Sequence, residues 1–521
     1  MPLSSLHFIF IFLPVFLLFF YILPFSTWRN VWMCVASLVF FAWADPGNIP
    51  LLILVILLNY VLGVVIGNRV EKVGRQAARP FMWIAVILNL FVLVFAKYTG
   101  FLLQSVADVV NITIEYEAKA LPLGVSFFTF AGISYILDIY NKTEKAEKNI
   151  VRFSSFLIMF PKLLQGPITR FGQVKNDLLK PKVVPDDVMQ GVRRFIGGLA
   201  KKTLLADPLG MATDNILGAG IDSLGASIAW LALISYTLQI YLDFSGYTDM
   251  AIGLGKMIGL KLPENFDFPY ISRSITDFWR RWHMTLTAWF RNYLFIPLEF
   301  ARKREKILRQ QSNILIVFLL TGLWHGASWN FVIWGIYFGL LLALEASGLG
   351  KLLKKLPVFV QHIYAMGLIM LGWVFFRITT IQDWGSFLGA LFGRNGWVNP
   401  AVTMRNTNTL LYIPLVIIGI LFCLPWVNRL EKKVNEKGGF LRVGLDILTW
   451  SCSSFPSRPY CQMATAPSFT LNSRHIAMKF KNLISNILIL FFVFILAVPV
   501  YWVARGKVEP QRSLMEYKTL S

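Results

Sequence analysis

Two of the five histidines, His325 and His283, lie where an imidazole could do acid–base chemistry. His325 belongs to the stretch 321–330, between the apolar runs 314–320 and 331–344. An ionisable side chain at membrane depth is costly and marks a functional site by default, with a hydrogen-bonded structural histidine as the alternative. Burial favours the neutral imidazole, which can accept a proton from a hydroxyl. We predict that His325 is a catalytic base.

The second histidine ends a stretch that is rich in arginine and tryptophan, residues 272–283. Ser274 followed three residues later by Asp277 predicts the start of a helix, and Asp277 with Arg281 predicts an i,i+4 ion pair. We expect an interfacial amphipathic helix on which Trp279 and His283 share a face.

The arginines of this stretch indicate a site for phosphate, because a guanidinium fork matches phosphate geometry. Arg280, Arg281 and Trp279 are therefore candidates for binding a phosphate-bearing acyl donor. A simple membrane-surface anchor, with tryptophan at the headgroup level, is the alternative. We expect His283 to orient the acyl group or to hydrogen-bond the acceptor, and we rank it below His325 as a base.

Three neighbours of His325 are further candidates. We expect Trp324 and Trp329 to wall a tunnel beside the imidazole and Asn330 to orient it. The stretch 239–249 interrupts an apolar run with Asp243, Asp249 and a glycine turn. These acids either pair with the arginines near residue 280 or shape the cavity. We favour a structural role, with Asp243 kept as a candidate binding residue.

The sequence lacks several common catalytic motifs that would offer an alternative to the histidines. The sequence contains no G-x-S-x-G elbow, no H-E-x-x-H helix and no G-x-x-x-x-G-K loop. Its four cysteines show no metal-ligand spacing. We therefore predict neither a metal nor a bound cofactor.

The composition indicates a polytopic membrane protein, because 56% of the residues are hydrophobic and only 15% are charged. The net charge of +22 comes from short loops beside apolar runs, which does not indicate nucleic-acid binding. Clear spans are predicted at 5–25, 50–67, 81–103, 122–139, 227–243, 329–348, 361–379, 409–427 and 484–503. Shorter runs at 31–43, 153–164, 191–206, 247–260, 287–300 and 312–323 predict half-spans or re-entrant helices. The predicted fold is all-α, a transmembrane helical bundle with such broken helices around a central tunnel.

Basic residues concentrate in five loops, near residues 69–79, 142–152, 302–309, 351–355 and 429–437. The positive-inside rule places all five in the cytoplasm and the 104–120 loop outside. The segment between 302–309 and 351–355 must then enter the membrane and return as a helical hairpin. A helix from Gln311 to His325 rises roughly 21 Å, so His325 lies deep in the bilayer.

The end of the sequence differs in character from the rest and predicts that two reading frames have been joined. Residues 1–445 form the membrane domain, 446–477 are a polar segment unfit for lipid, and 478–521 resemble a signal anchor with a tail. We hypothesise a frameshift near residue 449 that joins this chain to a downstream reading frame. An unusual final loop is the alternative.

Four stretches together resemble the membrane-bound O-acyltransferase family and its bacterial polysaccharide branch: 160–168, 241–249, 278–283 with 289–297, and 321–330. The resemblance covers roughly residues 1–445. In this family His325 matches the catalytic position, and His283 matches the second histidine motif. The resemblance implies a multi-pass protein of the inner membrane, with a bundle pinched in the middle and a cytoplasmic donor such as acetyl-CoA or another activated acetyl carrier.

The same resemblance implies acetyl transfer to an exported, alginate-like polysaccharide or to periplasmic acetylation proteins. Two other functions stay open at this point. One is transfer of D-alanine from a carrier protein to teichoic acid. The other is a transporter with a polar central cavity, which the lack of an internal repeat disfavours.

Overall fold

A computed structural model describes residues 1–112, 121–301, 309–400, 402 and 412–425. Within these ranges the chain forms helices and no β-strand. The α-helices are α1 Leu13–Ile22, α2 Ser26–Ala44, α3 Ile49–Lys72, α4 Arg75–Val110, α5 Val125–Tyr140, α6 Ile150–Ile158, α7 Phe160–Leu163, α8 Phe171–Leu179, α9 Pro185–Ala200, α10 Asp207–Gly218, α11 Ala226–Met257, α12 Ile275–Arg281, α13 Met284–Phe290, α14 Ile296–Ala301, α15 Arg309–His325, α16 Trp329–Leu344, α17 Gly350–Leu353, α18 Val358–Arg377, α19 Ile381–Leu391 and α20 Ile413–Phe422.

Five described helical stretches are long and apolar enough to cross a membrane, namely Pro46–Lys72, Arg75–Val110, Ala226–Met257, Trp329–Leu353 and Val358–Arg377. Three shorter apolar helices accompany them, Phe8–Ile22, Val125–Tyr140 and Ile413–Phe422. The prediction of an all-α polytopic membrane protein with broken helices is confirmed. The predicted span at 484–503 and the segments 446–477 and 478–521 lie outside the described residues.

Helix α11 corrects the prediction of a glycine turn near residue 246. The helix continues through Gly246 and Gly253 over 32 residues, so 227–243 and 247–260 are one element. A Cβ atom at Gly246 would lie 2.7 Å from the carbonyl oxygen of Gly198 in α9. A Cβ atom at Gly253 would lie 2.6 Å from the carbonyl oxygen of Gly191. The glycines allow close packing of two helices and do not bend the chain.

The predicted boundary between the span 81–103 and the outer loop is also wrong. The predicted span 81–103 and the start of the predicted outer loop at 104 belong to one helix that continues to Val110. The helix ends at Asn111, which adopts the left-handed conformation that asparagine tolerates. The polar residues after position 103 therefore extend the helix beyond its apolar stretch.

The stretch 272–283 forms a helix that begins as predicted but ends early. The Ser274 hydroxyl accepts a 3.1 Å hydrogen bond from the Asp277 N–H, and Arg281 pairs with Asp277 at 3.2 Å. The helix then ends at Arg281, and His283 adopts a left-handed backbone with φ 42° and ψ 53°. The prediction that Trp279 and His283 share one interfacial helix is therefore wrong.

The break is stabilised by the preceding segment of the chain. The Asp267 N–H donates to the Arg281 carbonyl at 2.9 Å, and the Met284 N–H donates to the Asn265 carbonyl at 2.9 Å. These bonds satisfy backbone groups that a continuous helix would have paired internally. Trp279 and Trp282 are buried as a result and do not lie at an interface with lipid headgroups.

Helices α15 and α16 form the predicted hairpin, joined by the turn 326–328. A side chain at Gly322 would collide with the Phe331 carbonyl and lie 3.1 Å from the Gly335 Cα atom. The two glycines thus let the hairpin arms touch along their backbones. His325 is the last residue of α15, directly before the turn.

Candidate active site

His325 lies in a box of aromatic rings. Its ring centroid is 4.9 Å from that of Trp324, 5.0 Å from Trp334 and 5.2 Å from Phe376, all in edge-to-face contact. The residue as a whole is half-buried. The imidazole makes no hydrogen bond to any residue that the structure describes, and the aromatic contacts alone hold the ring.

The backbone under His325 is held by α4. The Lys97 ammonium donates to the Trp324 carbonyl at 2.6 Å and to the His325 carbonyl at 3.1 Å, and the Tyr98 hydroxyl donates to the Leu323 carbonyl. Three consecutive carbonyls at the end of α15 are therefore capped by side chains of one neighbouring helix. A cation at this position also stabilises the negative end of the helix dipole.

Lys97 was missed in the sequence analysis, although a signal was present. The residue lies inside the predicted span 81–103, where an ionisable group marks a site for the same reason as His325 does. Its contact with the end of α15 explains why a charge is kept at this depth.

His283 is in a different setting, with 1% of its surface exposed. Its Nδ1 atom lies 3.0 Å from the Oδ1 atom of Asn265. Its ring packs edge-to-face on Phe244, with centroids 4.7 Å apart, and lies 6.0 Å from Trp324. Its Nε2 atom is buried and has no hydrogen-bond partner among the described residues.

Trp324 connects the two histidines and belongs to an aromatic stack. Its ring packs on Phe130 at 5.7 Å, and Phe130 stacks on Trp289 at 3.9 Å with planes 6° apart. The Trp289 indole donates to the Phe130 carbonyl at 3.0 Å, which fixes this pair. We call Trp324, Phe130 and Trp289 the aromatic stack. It forms one wall beside His325 and His283.

A cavity of about 760 Å³ lies between the α12–α13 segment and the hairpin. Gln310, Ile314, Val317 and Thr321 line it from α15. These residues recur every three or four positions and so share one face of the helix. The same face continues to His325, which is one helical turn or about 6 Å beyond Thr321.

The rim of the cavity is basic and its walls are largely apolar. We call five exposed residues the basic rim, namely Arg273, Arg280, Arg291, Lys351 and Lys354. The walls include Trp279, Leu286, Phe290 and Phe318. A ligand with phosphate at one end and an extended, less polar arm at the other fits this distribution.

Glu345 is the buried acid of this cavity. Its carboxylate accepts from the N–H groups of Ile275 at 2.7 Å and Thr276 at 2.9 Å, and from the Thr276 hydroxyl at 2.6 Å. A carboxylate at the first turn of α12 satisfies donors that have no partner within the helix. Glu345 therefore fixes the element that carries Trp279 and Arg280. It lies in the predicted span 329–348, and its charge there was the signal that sequence reasoning missed.

The structure separates the two predicted arginines. Arg280 lines the cavity, as does Trp279, whose indole nitrogen is buried without a hydrogen-bond partner in the described part of the chain. Arg281 does not line the cavity and instead pairs with Asp267 at 3.0 Å and with Asp277.

The neighbours of His325 are also placed differently. Asn330 is buried, and its amide donates to the Phe375 carbonyl at 3.3 Å, which joins α16 to α18. Trp329 is 57% exposed and packs against Phe101 of α4.

The acids of α11 pair with basic residues of the α9–α10 region and not with the arginines near residue 280. Asp243 pairs with Lys202 at 2.5 Å. Asp249 accepts from Arg194 at 2.9 Å and from Lys201 at 2.7 Å. The expected structural role of this stretch agrees with these contacts.

Comparison with known proteins is consistent with this geometry. The model of the membrane-bound O-acyltransferase family matches residues 141–349. The chain is 36% identical over 450 residues to the probable alginate O-acetylase AlgI of Azotobacter vinelandii, which covers 84% of this chain and 89% of that protein. It is 33% identical over 430 residues to the peptidoglycan O-acetyltransferase of Helicobacter pylori, which covers 75% and 79%.

A third relative is named for a different activity. The teichoic acid D-alanyltransferase of Bacillus subtilis is 32% identical over 236 residues, which covers 42% of this chain and 58% of that protein. All three relatives are acyl-transferring proteins by their descriptions. From this similarity, the chain is an acyltransferase that belongs to the membrane-bound O-acyltransferase family.

Proposed function

We propose that this protein is an O-acetyltransferase of the inner membrane that acetylates hydroxyl groups of an exported, alginate-like polysaccharide. The observation that carries the proposal is the cavity that extends from the basic rim along one face of α15 as far as Thr321, one helical turn before His325. The O-acetylating relatives cover more of the chain than the D-alanyl-transferring one, which supports acetyl over D-alanyl.

The donor is an activated acetyl group on a phosphate-bearing carrier such as acetyl-CoA. The basic rim binds the phosphates, and the apolar walls enclose the arm that carries the acetyl group. By the positive-inside rule the loops around this rim are cytoplasmic, so the donor enters from the cytoplasm. Arg280 and Trp279 contact the donor in this arrangement, whereas Arg281 acts by holding the α12 segment.

His325 acts on the acceptor. Its neutral imidazole takes the proton of the acceptor hydroxyl while that oxygen attacks the acetyl carbonyl carbon. The bond from the carbonyl carbon to the carrier sulfur then breaks, and the imidazolium returns the proton to the departing thiolate. Trp324 packs on the imidazole during this exchange, and Asn330 holds α16 against α18 behind it.

The acceptor approaches from the opposite side of the membrane. The partners are the exopolysaccharide and the periplasmic proteins that complete its acetylation. Trp329, which is exposed beside Phe101 near the hairpin turn, lies on the acceptor side under this topology.

The test is the acetyl content of the exported polymer in cells that carry His325→Ala. We expect acetylation to be abolished, because loss of a general base costs about 10²–10⁴-fold. His7→Ala is the matched control, because His7 is exposed and its ring lies 6.0 Å from that of Trp43. The two variants are compared at equal amounts in the membrane. Acetylation by His325→Ala at the level of His7→Ala would refute the proposed role of His325.

A further inference from the structure

The hydrogen bonds around Asn265 determine the protonation of His283. The Oδ1 atom of Asn265 lies 3.2 Å from the backbone nitrogen of Thr285, 2.8 Å from its hydroxyl and 3.0 Å from the Nδ1 atom of His283. A backbone N–H only donates, so the atom facing it must be the amide oxygen and not the amide nitrogen. An amide oxygen only accepts, and the imidazole must therefore donate to it from Nδ1.

This assignment leaves the other ring nitrogen as an acceptor. A neutral imidazole with its proton on Nδ1 carries a lone pair on Nε2. That Nε2 atom is buried and has no partner among the described residues. A buried acceptor without a donor is unfavourable, and its presence here is explained if a bound molecule supplies the donor.

Asn265 is itself held from two sides. The preceding residue, Glu264, pairs with Arg194, which also binds Asp249 in α11. The Asn265 carbonyl accepts from the Met284 N–H at 2.9 Å. The side chain is thus fixed relative to both α11 and the His283 turn, and its amide has little freedom to rotate away.

We propose that Asn265 is a positioning residue that locks His283 in the Nδ1–H tautomer, so that Nε2 accepts a hydrogen bond from an O–H or N–H group of the bound substrate. The proposal rests on the proposed transfer reaction only for the identity of that substrate. The tautomer itself follows from contacts within the chain.

The direct test is nitrogen NMR of the intact protein labelled with ¹⁵N-histidine, purified in lipid. The His283 signals are those that disappear in His283→Gln. We expect Nδ1 to carry the proton and Nε2 to be bare at neutral pH. A proton on Nε2 in the resting protein, in either the other tautomer or the imidazolium, would overturn the proposal.

The variant test uses Asn265→Asp, which keeps the shape and the acceptor oxygen but adds a negative charge beside Nδ1. We expect the spectrum to show a second proton on the His283 ring, because a carboxylate stabilises imidazolium. Turnover should fall by about 10²-fold, as for a misplaced catalytic group, with a smaller change in donor KM. A folded Asn265→Asp protein in which Nδ1 of His283 has lost its proton would contradict the lock, because the carboxylate oxygen still accepts from Nδ1.

Asn59→Asp is the matched control, since Asn59 is an equally buried amide that bonds Asn89 between α3 and α4. It should leave the His283 signals unchanged. A failure of the proposed function would appear separately, as acetylation that survives His325→Ala while the His283 spectrum is as expected.

Discussion

The two histidines beside Trp324 differ in how strongly the surrounding protein restrains them. His283 is fully enclosed, its backbone is left-handed, and one ring nitrogen is committed to Asn265. His325 ends a regular helix, is half-buried, and has both ring nitrogens uncommitted within the described structure. The Asn265 contact restricts the tautomer of His283, whereas no hydrogen bond within the described residues restricts that of His325.

The difference indicates a division of labour. A group that must gain and lose a proton in each turnover needs freedom of tautomer, and no hydrogen bond among the described residues restricts the tautomer of His325. A group that only orients a partner gains from being fixed before the partner arrives. Within the described residues, the hydrogen bonds that restrain this segment therefore act on its backbone, at the carbonyls that Lys97 and Tyr98 cap, while the His325 ring has aromatic contacts.

The largest expected effect is the loss of acetyl transfer in the two histidine variants, which should differ in whether added imidazole restores activity. His325→Ala should lose about 10²–10⁴-fold in acetyl transfer by isolated membranes, as for loss of a general base. His283→Ala removes an orienting group and should lose about 10²-fold. Added imidazole should restore part of the His325→Ala activity, because His325 is half-buried, and none of the His283→Ala activity, because His283 is buried. Rescue of both variants, or of His283→Ala alone, would contradict the proposed difference between the two histidines.

The second effect concerns the cap on α15. Lys97→Met should lower turnover by about 10²-fold with little change in donor KM, because the backbone under the base loses its anchor. Lys97→Arg, which keeps the cation, should recover part of the loss. Tyr98→Phe removes only the bond to Leu323 and should be milder. Steady-state kinetics on membranes with matched protein amounts measure all three. Equal turnover in Lys97→Met and wild type would show that the His325 backbone needs no such anchor.

The third effect is on donor binding alone. Lys354→Ala and Arg280→Ala should each raise donor KM about fivefold without changing kcat, the amount expected for an exposed ion pair of about 1 kcal/mol. The increase should shrink at high salt. Lys355→Ala is the control, because Lys355 is exposed next to Lys354 and does not line the cavity. A matching loss in Lys355→Ala would mean that general surface charge, and not the basic rim, attracts the donor.

The smallest effect is expected at Trp329. Its ring is more than half exposed, so Trp329→Ala should change donor turnover by no more than about twofold, as is usual for exposed positions. A small synthetic acceptor and the native polymer should be compared in the same membranes. A loss confined to the polymer would place Trp329 in polymer binding, and a large loss with both acceptors would place it nearer the chemistry than the structure does.

Much of the architecture could be predicted from hydrophobic runs and the positions of basic loops. The α15–α16 hairpin follows from two basic loops on the same side of an apolar segment, and the position of His325 near its turn follows from helix rise. The continuity of helix α11 could not be predicted from the sequence. A glycine at position 246 is compatible both with a turn and with close packing of α11 against Gly198.

The site was harder to predict than the fold because it depends on contacts that are distant in sequence. Lys97 and Glu345 are ionisable groups inside predicted spans, and the rule that selected His325 applies to them equally. Asn265 is a polar residue in a loop and carries no such signal. Its importance lies in three hydrogen bonds to a turn 18 to 20 residues further along the chain.

The aromatic stack also has a consequence for the proton gradient across the membrane. An enzyme that receives a donor on one side of a membrane and serves an acceptor on the other places two aqueous openings close together. Stacked rings such as Trp289 and Phe130, with centroids 3.9 Å apart, exclude water between them, and hydrophobic constrictions block ions by dewetting. We therefore expect vesicles that contain the protein to hold a proton gradient as long as empty vesicles do, so that acetyl transfer proceeds without dissipating the membrane potential.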